Sequence, residues 1–321
     1  MKKTQRNQNP YKNSDSNKRY YTYEYYLRRE FGSKVAKIPL DIGLSCPNID
    51  GRCGFGGYIY CSGRGSGDFA QSSALSVREQ YEITRQKLSS KWSTEKCIAY
   101  FQAHTNTYAP MEFLEAKYNE ALGLPGVVGM NIATRADCLP DDVCCLLEKV
   151  AQRTVLTVEL GLQSSCDESA EKINRGHSFA DFKEGYFRLR RLAPSAKICV
   201  HIIFGLPDEN DEQMMQTVRD VSELKPEQVK IHLLHVLRNT VMGEMYERGE
   251  YEPLTKEKYV SLVADAIEFL PPDTVVARLT GDGMGDDLLA PEWSRKKVSV
   301  INDIDKLLYE RGSYQGIRFQ K

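Results

Sequence analysis

At 321 residues the chain is long for one ordinary domain but suits a single α/β barrel with appendages. Its 41% hydrophobic residues can supply a sizeable core, and a net charge of -1 advertises no global basic field, so any nucleic-acid binding must rest on local patches. No apolar run approaches the roughly 18 residues that a membrane span requires, and the basic N-terminus lacks an apolar signal region, so the expected location is the cytoplasm with no membrane partner.

Residues 1–18 are polar, rich in Asn, Lys and Ser, and are expected to form a disordered tail. Residues 19–34 carry RYYTYEYYLRREFG, a basic and aromatic helical extension whose tyrosines either pack on the body or stack on bases. From 35 to 252 strand-like and helix-like runs alternate. The strand runs are VAKIPLDI (35–42), KCIAYFQ (96–102), GVVGMNIAT (126–134), TVLTVELGL (154–162), AKICVHIIFGL (196–206) and QVKIHLLHVL (228–237). They are nearly continuous in apolar residues, as strands covered on both faces must be. Helical patterns such as VREQYEITRQKLSSK, MEFLEAKYNEAL and DEQMMQTVRDVSEL lie between them. The alternation predicts right-handed βαβ units and an α/β fold, a partial (β/α)6 TIM-like barrel. Residues 253–321 read as a helix-strand-helix extension.

The strand ends are where a barrel of this kind carries its chemistry. The first run leads into CPNIDGRCGFGGYIYCSGRGSGDF, in which Cys46, Cys53 and Cys61 lie among glycines. Thiols crowded into a flexible loop point to a metal or iron–sulfur site more than to a packed core. The remaining six of the nine cysteines are dispersed and read as small buried hydrophobes, not as a secreted disulfide framework. The second run ends in Gln102, His104, Thr105 and Asn106, the third in Arg135 and Asp137. The fourth carries Glu159 and ends in Gln163. The fifth carries His201 and ends in Gly205 and Pro207, and the sixth carries Lys230, His232 and His235. So many polar ends converging on one mouth are hard to explain as packing.

Read together, these phrases resemble the radical S-adenosylmethionine (SAM) enzymes, and more narrowly a YhcC-like branch related to the Elongator catalytic subunit and the coproporphyrinogen dehydrogenases. The resemblance covers roughly residues 19–318. Its specific phrases include Lys37 to Asn48, Gly63 to Phe69, Phe101 to Pro110, Thr134 to Pro140, Glu159 to Ser164, Ile173 to His177, His201 to Pro207, His232 to His235, and Leu289 to Ser294. The resemblance implies a [4Fe-4S] cluster on three thiolates. It also implies SAM bound to the open iron, an electron donor such as flavodoxin or ferredoxin, and reductive cleavage of SAM to a 5′-deoxyadenosyl radical. It further implies a substrate among tRNA wobble uridine side chains.

The branch's ligand pattern looks like Cys-x11-Cys-x2-Cys. Cys46 matches the first ligand and Cys61 the third, while the second falls on Tyr58. Three readings stay open. Cys53 replaces the missing ligand, helped by Gly51, Gly54, Gly56 and Gly57. Alternatively the cluster is lost and the chain is a cluster-deficient binding or scaffold protein. In the third reading the Tyr58 phenolate or an outside ligand completes the site, or the sequence carries a substitution at this position.

The same resemblance assigns Gln102, Thr105 and Asn106 to the SAM amino group. It assigns Arg135, Glu159, Gln163 and His201 to other parts of SAM, and Gly205 and Pro207 to its adenine. Arginine suits a carboxylate through its bidentate fork, and a buried glutamate needs partners, for which ribose hydroxyls or Arg135 would serve. The histidines have an ordinary reading as satisfied core residues, and Lys230 is a candidate for an anionic substrate. A zinc module is disfavoured by the lack of paired CxxC spacing, and Gly63-Arg-Gly-Ser-Gly67 is a weak nucleotide-loop match. Basic residues at 18–29, 188–191 and 295–297 are candidate RNA contacts, with a solvated face as the plain alternative.

Overall fold

The computed structural model describes residues 9–63, 65, 69–90, 92–281 and 285–320. Residues 1–8, Lys91, and Arg64 with Ser66 to Asp68 of the glycine-rich phrase lie outside the described residues.

Six strands follow one another in space as in sequence. They are β1 (Ala36–Leu40), β2 (Cys97–Phe101), β3 (Val127–Thr134), β4 (Val155–Gln163), β5 (Lys197–Phe204) and β6 (Gln228–Leu233). All neighbours are parallel. The chain then makes a short β7 (Val236–Leu237) and returns with β8 (Val275–Arg278), which pairs parallel with β6 as a seventh strand. The run TVVARLT therefore joins the sheet instead of standing in a separate extension. β7 pairs antiparallel with β9 (Leu288–Ala290). Among the described residues β8 and β1 share no ladder, so the barrel is partial.

The helices are α1 (Tyr23–Phe31), α2 (Val77–Ser89), α3 (Met111–Leu122), α4 (Asp141–Ala151), α5 (Asp167–Lys172), α6 (Phe179–Leu192), α7 (Asp211–Leu224), α8 (Val241–Glu247), α9 (Lys256–Phe269) and α10 (Lys297–Glu310). Local chemistry fixes several starts. Ser76 and Glu79 close a reciprocal cap on α2, as do Ser178 and Asp181 on α6 and Asn210 and Gln213 on α7. In α6 a glycine is required for packing: a Cβ on Gly185 would stand 2.0 Å from the Ala136 carbonyl oxygen. That contact presses α6 onto the turn after β3, which carries Arg135. The core runs between sheet and helices, with Ile38, Phe101, Ile132, Val158, Ile202 and Ile231 fully buried. No helix of the described residues is long and apolar enough to cross a membrane.

The N-terminal segment is tied to the body from residue 9 onward. Tyr11 is buried and donates to the Pro272 carbonyl at 2.6 Å, Lys18 pairs with Asp305, and Arg19 donates to the Ser313 carbonyl at 3.2 Å. Residues 9–18 therefore do not behave as the free tail that their composition suggests. Of the α1 tyrosines, Tyr23 and Tyr26 pack on the body, while Tyr25 is half-exposed beside Arg29. Tyr26 and Leu27 pack with Ile98 and Val275 at the starts of β2 and β8, joined by Tyr21, Tyr23 and Phe31, so α1 covers the N-terminal end of the barrel.

Candidate active site

At the opposite end the strands open on a cavity of about 520 Å³, within the range of small-molecule sites. Cys46, Tyr58 and Cys61 line it from the loop after β1, Thr105 from the loop after β2, and Thr134 and Arg135 from the end of β3. Glu159, Gly161 and Gln163 contribute from β4, His201 from β5 and His232 from β6.

The loop after β1 is pinned by residues far along the chain. Asn48 Nδ2 donates to the Asn174 carbonyl at 2.8 Å, and Asn174 Nδ2 donates to the carbonyls of Phe55 (2.8 Å) and Gly57 (2.7 Å). Asn174 itself is left-handed, at φ 56°. Within this frame Thr105 Oγ1 donates to Cys46 Sγ at 3.1 Å. Burial pushes the Cys46 thiol up, and Thr105 and Arg135 oppose that. The amide of Cys61 donates to the Tyr58 carbonyl at 3.1 Å, which closes a tight turn between those two cavity-facing residues. Tyr58 stacks on Tyr60 with centroids 5.2 Å apart, and its hydroxyl lies 3.4 Å from the Gln163 amide. Burial raises the Tyr58 phenol well above its ordinary value, so it is neutral.

Arg135 joins the cavity to Cys53. Its Nε and Nη2 donate to the two Asp137 carboxylate oxygens at 3.0 and 2.9 Å, a bidentate pair. Nη1 donates to Tyr58 OH at 3.4 Å, and Nη2 to Cys53 Sγ at 3.6 Å. Nη2 also lies 2.9 Å from His177 Nδ1; burial holds that imidazole down to about 4, so Nδ1 is the acceptor. Burial works against the arginine charge, but the bidentate pair with Asp137 offsets it and the guanidinium stays charged.

The floor of the cavity is a buried carboxylate. Glu159 accepts from Asn131 Nδ2 and Tyr100 OH, both at 2.7 Å, from Lys37 Nζ at 3.4 Å, and from Lys230 Nζ. His201 Nε2 stands 3.1 Å away. Burial would raise this acid, yet Lys230, Lys37 and His201 hold it well below the usual carboxylate range. Lys230 is itself pushed down to about 8, by burial first, with Glu159 acting the other way. His201 and His232 are both neutral because burial disfavours their charge, and their rings lie 5.4 Å apart. The partners of Glu159 are therefore protein cations and not Arg135, and Lys230 is committed to Glu159 instead of facing the cavity.

Cys46, Cys61, Thr105, Arg135, Glu159, Gln163 and His201 thus share one cavity. Cys53, Gln102, Asn106, Gly205 and Pro207 are not on its lining. Cys53 packs against Gly176, where an added Cβ would sit 2.8 Å from its sulfur. Asn106 spends its amide on the carbonyls of Ala103 (2.9 Å) and Ala133 (3.0 Å), which ties the loop after β2 to β3. Gly205 accepts from Tyr251 OH at 2.6 Å, beside a separate depression formed with Asp208 and Glu209. His232 lines the cavity, whereas His235 lies beyond the end of β6. Asn239, Thr240 and Val241 also line it, although nothing in their local sequence marks them. They arrive there because β7 leaves the sheet and turns α8 over the mouth.

Comparison with known proteins agrees with this architecture. The radical SAM superfamily model matches residues 59–221, and the radical SAM C-terminal domain model matches residues 226–310. The chain is 46% identical to uncharacterized protein YtqA of Bacillus subtilis, over 98% of this chain and 97% of that one. It is 34% identical to protein YhcC of Escherichia coli, over 89% and 91%. A tRNA uridine(34) acetyltransferase of Methanocaldococcus jannaschii is 30% identical, but over only 48% of this chain and 28% of that protein. Among solved structures, the archaeal Elp3 of Methanocaldococcus infernus superposes with a TM-score of 0.65 at 18% identity, over 88% of this chain and 64% of that one, a likeness of fold. Sheet, cavity and sequence lead to one conclusion: the chain belongs to the radical SAM superfamily, in its YhcC-like branch.

Proposed function

We propose that the cavity at the strand ends binds S-adenosylmethionine. The observation that carries this is the convergence of Arg135, Gln163, His201 and His232 with the thiols of Cys46 and Cys61 on one cavity of suitable volume. Arg135 Nη1, engaged among the described residues by a 3.4 Å contact to Tyr58, has a donor left for the ligand's carboxylate. His232 Nε2 is buried without a hydrogen-bond partner among the described residues and offers a further polar contact. Equilibrium dialysis with labelled SAM tests the reading, using wild type and Ile203→Trp, which fills the cavity from β5. Wild type retains SAM and the filled variant does not. Equal retention by both rejects the site.

Reductive cleavage of SAM is the activity that family membership implies, and it requires three thiolates around a [4Fe-4S] cluster. The described residues do not fit that requirement. The cavity carries two thiols and a neutral phenol, and no three His, Cys, Asp or Glu side chains among the described residues stand close enough to hold a metal ion. A binding protein built on the SAM-shaped barrel is the reading that this geometry favours.

A role on tRNA is a second reading, and the partial likeness to a tRNA uridine(34) acetyltransferase supports it. On the surface Arg29, Arg191 and Lys296 are exposed, while other members of the basic runs are paired. Arg28 is paired with Asp15, Arg188 with Glu184 and Asp141, and Arg190 with Glu227. Filter binding to tRNA at low ionic strength tests it: an affinity that falls steeply with salt supports the reading, and undetectable binding removes it.

A further inference from the structure

We propose that Tyr58 alone keeps this cradle from holding an iron–sulfur cluster, and that the single substitution Tyr58→Cys completes it. The inference concerns the same cavity as the SAM proposal, but iron content reads it independently of SAM binding.

Cys46, Tyr58 and Cys61 come from one loop and face one cavity, so the loop already presents three positions to the same space. Two of them carry sulfur. The third carries a phenol whose oxygen lies a whole ring beyond the place where a cysteine sulfur would be on the same Cα. Iron–sulfur clusters are held by soft thiolates, and a neutral phenol is a hard and poor substitute. The Tyr58 ring is also fixed, stacked on Tyr60 with its hydroxyl against Arg135 and Gln163.

Cys53 does not replace it. Its sulfur is wedged at Gly176, and its amide donates to the Pro47 carbonyl at 2.9 Å. The Arg135 guanidinium stands between the two side chains, with Nη1 on Tyr58 and Nη2 on Cys53. To reach the cavity Cys53 would have to displace a buried arginine from its bidentate pair with Asp137. It would also have to pull the 48–57 loop off Asn174, which holds it through three hydrogen bonds. A thiol placed at position 58 needs neither movement.

Anaerobic reconstitution with ferrous iron and sulfide tests this on wild type, Tyr58→Cys, Tyr58→Phe, Cys53→Ala and the double variant Tyr58→Cys with Cys53→Ala. Iron and sulfide are counted per chain, absorbance is read near 400 nm, and folding is checked by circular dichroism. Tyr58→Cys is expected to take up about four irons per chain and to keep them in the double variant, whereas wild type, Tyr58→Phe and Cys53→Ala stay below about one. Wild type that reaches about four irons overturns the proposal. If Cys53→Ala then loses that iron, Cys53 is a ligand; if it keeps it, Tyr58 or an outside group is. A folded Tyr58→Cys protein that gains no iron also overturns it. Should Tyr58→Cys not fold, the wild-type iron count decides alone.

Discussion

His201 shows how a single buried side chain couples charge to stability. Burial and the neighbouring Lys230 hold its imidazole near 4, against an ordinary value of 6.5. Between those pH values the unfolded chain binds a proton that the folded chain refuses. Stability is therefore full above about 6.5 and is lost as pH falls toward 4, by up to about 3 kcal/mol from this residue. Glu159 acts in the same direction, since its depressed acid contributes stability above its unfolded value and loses it as pH falls through the folded one. Urea unfolding at pH 7.5, 6 and 5 is expected to give a falling series, and His201→Gln is expected to make it shallower while His177 and His232 keep part of the fall. A wild-type curve that is level from 7.5 to 5 would contradict the neutral, buried assignment. The sequence marks Glu159 and His201 as polar residues carried within apolar strands. It does not reveal their partners, because Lys37, Tyr100, Asn131 and Lys230 come from β1, β2, β3 and β6 and meet only when the barrel curls.

Among the elements, the alternation of strands and helices is legible because buried parallel strands must be largely apolar, as β5 is apart from Lys197 and His201. β7 and β9 escape sequence reading because two or three residues carry no period. The direction of Cys53 escapes it for another reason: it is set by Asn174 and Gly176, more than a hundred residues away on the loop before α6. The seat of α6 gives a direct test. A methyl at Gly185 would meet a backbone oxygen at 2.0 Å, and backbone cannot swing aside as a side chain can. Gly185→Ala is expected to cost about 3 kcal/mol in urea unfolding, although alanine is the better helix former. A neutral or stabilising result would mean that α6 does not press on the turn carrying Arg135.

On the scale of the whole molecule the two ends of the barrel do different work. The N-terminal end is closed by α1, with Tyr26 buried and its hydroxyl accepting from Lys197 Nζ at 2.7 Å. The C-terminal end is open and carries the cavity. Tyr26→Ala is therefore expected to lower stability by about 2–4 kcal/mol while leaving SAM affinity unchanged under conditions where the variant is folded. A matching loss of affinity would show that the two ends are coupled. SAM binding that does not depend on iron is checked by a calorimetric titration of wild type with SAM, before and after anaerobic treatment with iron and sulfide. A cavity that binds SAM through its own side chains, beside a cradle with only two thiols, predicts one site with the same affinity in both titrations. Binding that emerges only after the treatment would contradict it.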